Sequence, residues 1–158
     1  MANKKNAAPG EHVVCINRRA RHNYFIDESF EAGLVLVGSE VKALRDGKAN
    51  LSDSYAQIRK GEAYLINAHI SPYPGASQFN HEPKRNRKLL LHGREIERLA
   101  GKTKERGLTL VALKLYFKNG RAKVELGLGR GKKLYDKRET LKRKNAEREI
   151  QRSLRARG

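Results

Sequence analysis

Tryptophan is absent from this chain, cysteine and methionine occur once each, and only four prolines interrupt it. A lone cysteine, Cys15, excludes an internal disulfide framework. The histidines, His12, His22, His69, His81 and His92, stand too far apart for zinc spacing, so neither a metal nor another cofactor is expected. Long apolar stretches are missing too. Runs such as Leu34–Val37 fall far short of the roughly 20 residues that span a bilayer. Negative charge is scarce: 17 Asp and Glu face 35 Lys and Arg in 158 residues, a formal net charge of +18. Such a surplus repels itself unless a polyanion neutralises it. Nucleic acid is the obvious counterpart. An anionic membrane is the competitor, but no basic helix here carries a broad apolar face to insert.

The length fits one domain with one core. Residues 1–11 are polar, contain lysines and show no apolar signal core, so a flexible arm and a cytoplasmic location are expected. Apolar sequence starts at Val13–Ile16, a first strand, and Leu34–Val37 is a second run between Gly33 and Gly38. The mixed segment between them fits neither helix nor strand firmly. Ser39 is placed to cap a short helix with Val41 and Leu44 on one face, Lys42 and Arg45 outside and Gly47 at its left-handed end. Residues 54–70 read as a hairpin turning at Lys60-Gly61. A stronger hairpin turns at Asn119-Gly120, with Ala122, Val124, Leu126 and Leu128 inward. Residues 71–88 hold three of the prolines and end in a basic cluster, which predicts an exposed loop. Residues 94–106 form one amphipathic helix, with Ile96, Leu99 and Ala100 inward and Gly107 as its stop. The sum is a mainly β body whose strands must close or nearly close a barrel. Periodicity does not choose among small barrel topologies.

Catalytic constellations are wanting. Asp27, Glu28 and Glu31 are close in sequence, but surface solubilisation explains them without a cleft. Ser39, Ser52 and Ser54 have no nucleophile elbow. Gly127–Lys132 looks like a phosphate loop, yet Leu126 and Lys133 stand where Gly and Ser or Thr would be needed. A flexible exit from the last strand is the simpler reading.

Basic residues cluster at Arg18–His22, at Lys84–Lys88 and in the tail, with Lys114, Arg121 and Lys123 on a sheet face, a spread that suits a long phosphate track. Tyr24, Phe25, Phe79 and Tyr135 accompany them, and Phe25 is assigned to the core. From Arg130 onward twelve Lys and Arg face four Asp and Glu, and Leu134, Tyr135, Leu141, Ile150 and Leu154 are too sparse to repay ordering. The tail is therefore expected to be disordered when free and helical on RNA. A solvated extension adding only nonspecific affinity is the alternative.

The blocks NRRARHNYFIDESFEAGLVL, EVKALRDGKANLSDSYAQIR, GEAYLINAHISPY, RKLLLHGREI and GKKLYDKR, in this order, resemble small protein B, the bacterial SsrA-binding family that binds transfer-messenger RNA. The likeness runs from about Asn17 to Arg138. It implies an oligonucleotide-binding (OB) fold, a closed barrel over residues 12–130 with two or three short helices, and a basic C-terminal tail over 131–158. It implies no catalysis, no DNA and no membrane partner. The implied role is an adaptor of trans-translation, or ribosome rescue, that binds the tRNA-like domain of transfer-messenger RNA. Elongation factor Tu and the small ribosomal subunit would be further partners. By position, the resemblance assigns RNA contacts to Asn17, Arg19, Arg21, His22, Tyr24, Glu31, Leu90 and Lys123, with Arg45, Lys48 and Asn50 on the same face. Lys132, Lys133, Tyr135, Asp136, Lys137 and Arg138 would contact the decoding centre, with the tail in the empty message channel. Composition alone fits a basic ribosomal or ribosome-assembly protein nearly as well.

Overall fold

The computed structural model describes the backbone of residues 10–132 and 134–157, with all of their side chains except those of residues 77, 105, 106, 134–142, 156 and 157. Most of the expected arm, residues 1–9, lies outside the described residues. The elements are β1 (Glu11–Ile16), α1 (Arg18–Asn23), β2 (Tyr24–Leu34), α2 (Gly38–Arg45), β3 (Ala49–Asn50), β4 (Tyr55–Arg59), β5 (Glu62–Ile66) and β6 (His69–Ile70). A 3-10 helix (Pro74–Phe79), β7 (Arg87–Leu90), α3 (Gly93–Arg106), β8 (Thr109–Lys118), β9 (Arg121–Gly131) and α4 (Leu134–Arg157) complete the order. Seven strands form one antiparallel sheet in the order β1-β8-β4-β5-β7-β2-β9. β8 also pairs with β9, so the order returns on itself, and β3 pairs separately with β6.

Both predicted hairpins turn where expected. Lys60 and Gly61 have φ of 49° and 76°, Asn119 and Gly120 of 51° and 77°. Two left-handed central residues make the type I′ turn that matches strand twist. Val124, Leu126 and Leu128 point inward with Leu110, Ala112 and Leu115 of β8, and Leu99 of α3 is fully buried in the same core. Gly107, at φ 61°, ends α3 as its position predicted.

Other expectations need correction. The unplaced segment after Asn17 is α1 followed by the long strand β2, and of the Leu34–Val37 run only Leu34 belongs to a strand. Val35 and Val37 turn outward as the chain enters α2. Ser39 does not cap α2. Its hydroxyl meets a ring nitrogen of His81 at 2.9 Å, while Glu40 Oε1 accepts the Val37 N–H at 2.9 Å. Gly127–Gly131 is no flexible exit, because β9 runs through it between β2 and β8. A Cβ at Gly127 would lie 2.8 Å from Leu113 Cδ1 and 3.0 Å from Ile26 Cγ2. These glycines clear room for crossing strands.

The largest correction concerns residues 71–88. The segment holds a 3-10 helix and leads into β7, and Arg87 in its basic cluster is completely buried. Arg87 Nε donates to Glu40, itself fully buried, and its Nη1 and Nη2 donate to the carbonyls of Ala68 (2.7 Å), Arg85 (3.1 Å) and Pro83 (3.1 Å). Arg85 grips the same carboxylate. A buried charge is tolerated only when paired and fully hydrogen-bonded, and here the pairing ties α2 to β7. Two of the cluster's cations are thus structural.

Candidate nucleic-acid interface

α1 is a six-residue clip held from inside. The Asn17 side chain accepts from Ala20 N at 3.2 Å and donates to the carbonyls of Leu51 and Ala112, each at 2.8 Å. Ala20 packs on Val111 and Leu113 beside Tyr24 and Ile26. With Ala20 turned in, Arg18, Arg19, Arg21 and His22 are left exposed. Asn17 itself is buried and occupied, so the structure gives it a holding position under the arginines rather than a place on the surface.

β2 then carries the motif outward. Its first half alternates, with Phe25, Asp27, Ser29 and Glu31 more exposed than the residues between them. Phe25 therefore is not in the core. It is 42% exposed, with the Lys132 ammonium 4.9 Å and the Arg130 guanidinium 5.9 Å from its ring centre. The Lys132 N–H donates to the Asn23 carbonyl at 2.8 Å, which fixes the root of the tail beside α1.

Farther along β2, three residues remote in sequence meet. Gly33 is registered with Leu90 of β7 on one side and Lys123 of β9 on the other, and Lys123 is registered with Tyr116 of β8. Glu31, two residues before Gly33, shares their face. Glu31, Gly33, Leu90, Leu91, His92, Glu95 and Lys123 line one open hollow. Leu90 is 56% exposed, and Gly33 leaves it room: a Cβ there would lie 3.2 Å from the Leu90 Cβ. Tyr116, almost fully buried, donates its hydroxyl to Glu31 Oε2, and Lys118 Nζ lies 3.4 Å from the same oxygen. That hydroxyl, followed by the Lys118 ammonium, holds the Glu31 carboxyl below the usual carboxylate range. Tyr116 and Lys118 are additions that sequence reasoning missed; Tyr116 is reached through its pairing with Lys123, and Lys118 follows two residues on along β8.

The predicted residues thus form separate groups. Seven positions separate Tyr24 from Glu31, about 23 Å of extended strand. Arg45, Lys48 and Asn50 make a third group at the end of α2, all exposed. Gly47, at φ 72°, turns the chain there, and Asn50 Oδ1 accepts from Ser52 N at 2.8 Å. Lys114, by contrast, sits 3.7 Å from both Glu11 and Glu125, so its charge is already answered. In the tail, Lys133 and the side chains of Tyr135, Asp136, Lys137 and Arg138 lie outside the described residues, although the backbone of the last four belongs to α4. Residues 143–155 are exposed throughout, Ile150 and Leu154 at 59% and 65%.

Burial pushes the Cys15 thiol up to about 11, away from the thiolate. Among the described residues no group of His, Cys, Asp and Glu is placed to hold a metal ion, and no helix is long and apolar enough to cross a membrane. Exposed arginines on a clip, an aromatic flanked by cations and a long cationic helix define a protein of the RNA-binding class.

Comparison with known proteins narrows the class. The family model described as SmpB protein matches residues 14–156. The SsrA-binding protein of Desulforudis audaxviator is 63% identical over 145 residues, covering 92% of this chain and 95% of that protein. That of Geobacillus thermodenitrificans is 61% identical over 145 residues, with 92% and 94% covered. A solved structure described as "tmRNA-SmpB: a journey to the center of the bacterial ribosome" superposes with a TM-score of 0.66 at 52% identity, covering 80% of this chain and 93% of the other. The chain belongs to the SmpB family.

Proposed function

We propose that the protein binds transfer-messenger RNA with its β body and acts with it at the ribosome in trans-translation. The supporting observation is the assembly of Glu31, Leu90 and Lys123 on one face from three strands, in a chain about 60% identical to SsrA-binding proteins. The ring of pairings from β8 through β4, β5, β7, β2 and β9 back to β8 reads as the closed barrel of an oligonucleotide-binding fold. Such a barrel offers its outer strands and loops to RNA.

In this reading the tRNA-like domain lies across the body. Arg19, Arg21, His22 and Tyr24 hold it at the tail end of β2, while Glu31, Leu90 and Lys123 hold it at the far end. Arg45, Lys48 and Asn50 extend the same track. Asn17 acts through the clip it anchors. Glu31 accepts hydrogen bonds from base amino groups, which phosphate cannot offer. The tail, disordered when free, takes its helix in the decoding centre and the empty message channel, with Lys132, Lys133, Tyr135, Asp136, Lys137 and Arg138 on ribosomal RNA. Charge repulsion and the absence of buried side chains over residues 143–155 favour that coupling of folding to binding. Elongation factor Tu joins during delivery, the protein catalyses no reaction, and the site of action is the cytoplasm.

Copurification tests the reading. The chain is expressed in a bacterium, and the RNA retained at moderate salt is sequenced. Transfer-messenger RNA should dominate. Stoichiometric recovery of ribosomal RNA from all small subunits would instead identify a ribosomal or assembly protein.

A further inference from the structure

Residues 71–84 are pinned to α2 in a way an idle surface loop would not need. The Ser71 N–H donates to the Lys48 carbonyl at 3.0 Å. Tyr73 and Asn80 clamp the two ends of the 3-10 helix, with Tyr73 N donating to Asn80 Oδ1 at 2.9 Å and Asn80 Nδ2 to the Tyr73 carbonyl at 2.7 Å. His81 bridges the Ile70 carbonyl, 2.8 Å, and the Ser39 hydroxyl of α2, 2.9 Å. The Lys42 ammonium lies 5.5 Å from the Tyr73 ring centre. At the end of this clamped turn stands Phe79, 80% exposed.

A phenylalanine ring gains by leaving water, and a slack loop would let it fold inward. The clamp prevents that and keeps the ring presented, which lowers the ordering cost of whatever it meets. We propose that Phe79 is a stacking platform for an unpaired base of the bound RNA, with Lys42, Arg45 and Lys48, on the segment to which its turn is pinned, holding the flanking phosphates. The proposal rests on the RNA-binding reading above and adds an aromatic contact to it. Surroundings favour a base over a protein partner. Protein hot spots sit inside a ring of apolar contacts that excludes water. Among the described residues of 71–84, Phe79 is the one large apolar side chain well exposed, and the Lys42 ammonium lies over the Tyr73 ring at the other end of its turn. A base needs only a π-face and a cation for its phosphate.

The test uses the full-length protein and transfer-messenger RNA transcript, with affinities measured across a salt series for wild type, Phe79→Ala, Phe79→Trp and Lys42→Ala. An exposed ring can be exchanged without disturbing the core. Phe79→Ala should weaken binding roughly 5- to 150-fold, the range of one base–aromatic stack, with an unchanged log-log salt slope because no charge is lost. Phe79→Trp should restore affinity, and Lys42→Ala should flatten the slope by about 0.7 to 0.9. Wild-type affinity in Phe79→Ala, or a loss that Trp does not rescue, would overturn the platform while leaving RNA binding intact. Failure of the wild type to bind the transcript would instead overturn the underlying reading and the platform with it.

Discussion

Glu31 sets a negative charge beside Lys118 and Lys123, and its usefulness there depends on being held. Tyr116 and Lys118 orient one of its oxygens. Removing the hydroxyl by Tyr116→Phe should raise the Glu31 titration midpoint toward the ordinary value of about 4.3. An NMR titration of the Glu31 carboxyl reads that shift, and RNA affinity should fall by less than in Glu31→Ala. An unmoved midpoint would mean the hydroxyl does not set this carboxylate. Asn17 poses the opposite case, a motif residue whose groups are turned inward. Asn17→Ala removes the side-chain donor to the buried Ala112 carbonyl, leaves the Leu51 carbonyl to Ser54 alone, and removes the cap of α1. A stability loss of about 2–4 kcal/mol should follow in urea denaturation. If stability holds while RNA affinity drops, Asn17 touches RNA directly.

Among the elements, the crossing of β2, β8 and β9 leaves no room at Gly127. Gly127→Ala should destabilise the fold by about 1–3 kcal/mol. Gly101, inside α3 with nothing within 4 Å of an added Cβ, should respond in reverse, and alanine there should stabilise by about 0.5–1 kcal/mol. Thermal denaturation of both variants separates crowding from mere glycine content. The link between α2 and β7 carries a pH signature. Burial raises the Glu40 carboxyl, but the guanidiniums of Arg85 and Arg87 and the Val37 N–H together outweigh it, leaving a net lowering. A carboxylate lowered on folding contributes stability above its unfolded value of about 4.3, and that contribution is lost as pH falls through the folded value. Glu40→Gln should be less stable at neutral pH, because Arg87 loses its counter-charge, and should lose less further stability on acidification. Urea midpoints at neutral and acid pH check both.

Elements with a local rule were legible in the sequence. Asn119-Gly120 and Lys60-Gly61 announce turns through two φ-positive positions, and Ile96 with Leu99 announces α3 by period. Long-range effects were not. Arg87 reads as solvated inside a basic run, because its partner Glu40 lies 47 residues away. Phe25 reads as core because an aromatic usually is, although its pairing with Arg130 near the end of β9 sets it among cations at the edge of the body instead. The β9 glycines read as slack because the strands that crowd them come from elsewhere in the chain. Of the candidate site, the arginines of α1 were legible by charge. The row of Leu90, Gly33, Lys123 and Tyr116 required the sheet register.

At the scale of the whole molecule, charge is divided between a folded body and a cationic helix that leaves it at Lys132. Body and tail should therefore be separable in function. Truncation after Gly131 is the most direct test, with affinity for transfer-messenger RNA and peptide tagging on stalled ribosomes measured on the same preparation. The account predicts near-normal RNA affinity at physiological salt and no tagging. Tagging that survives the truncation, or RNA affinity that collapses with it, would contradict the division.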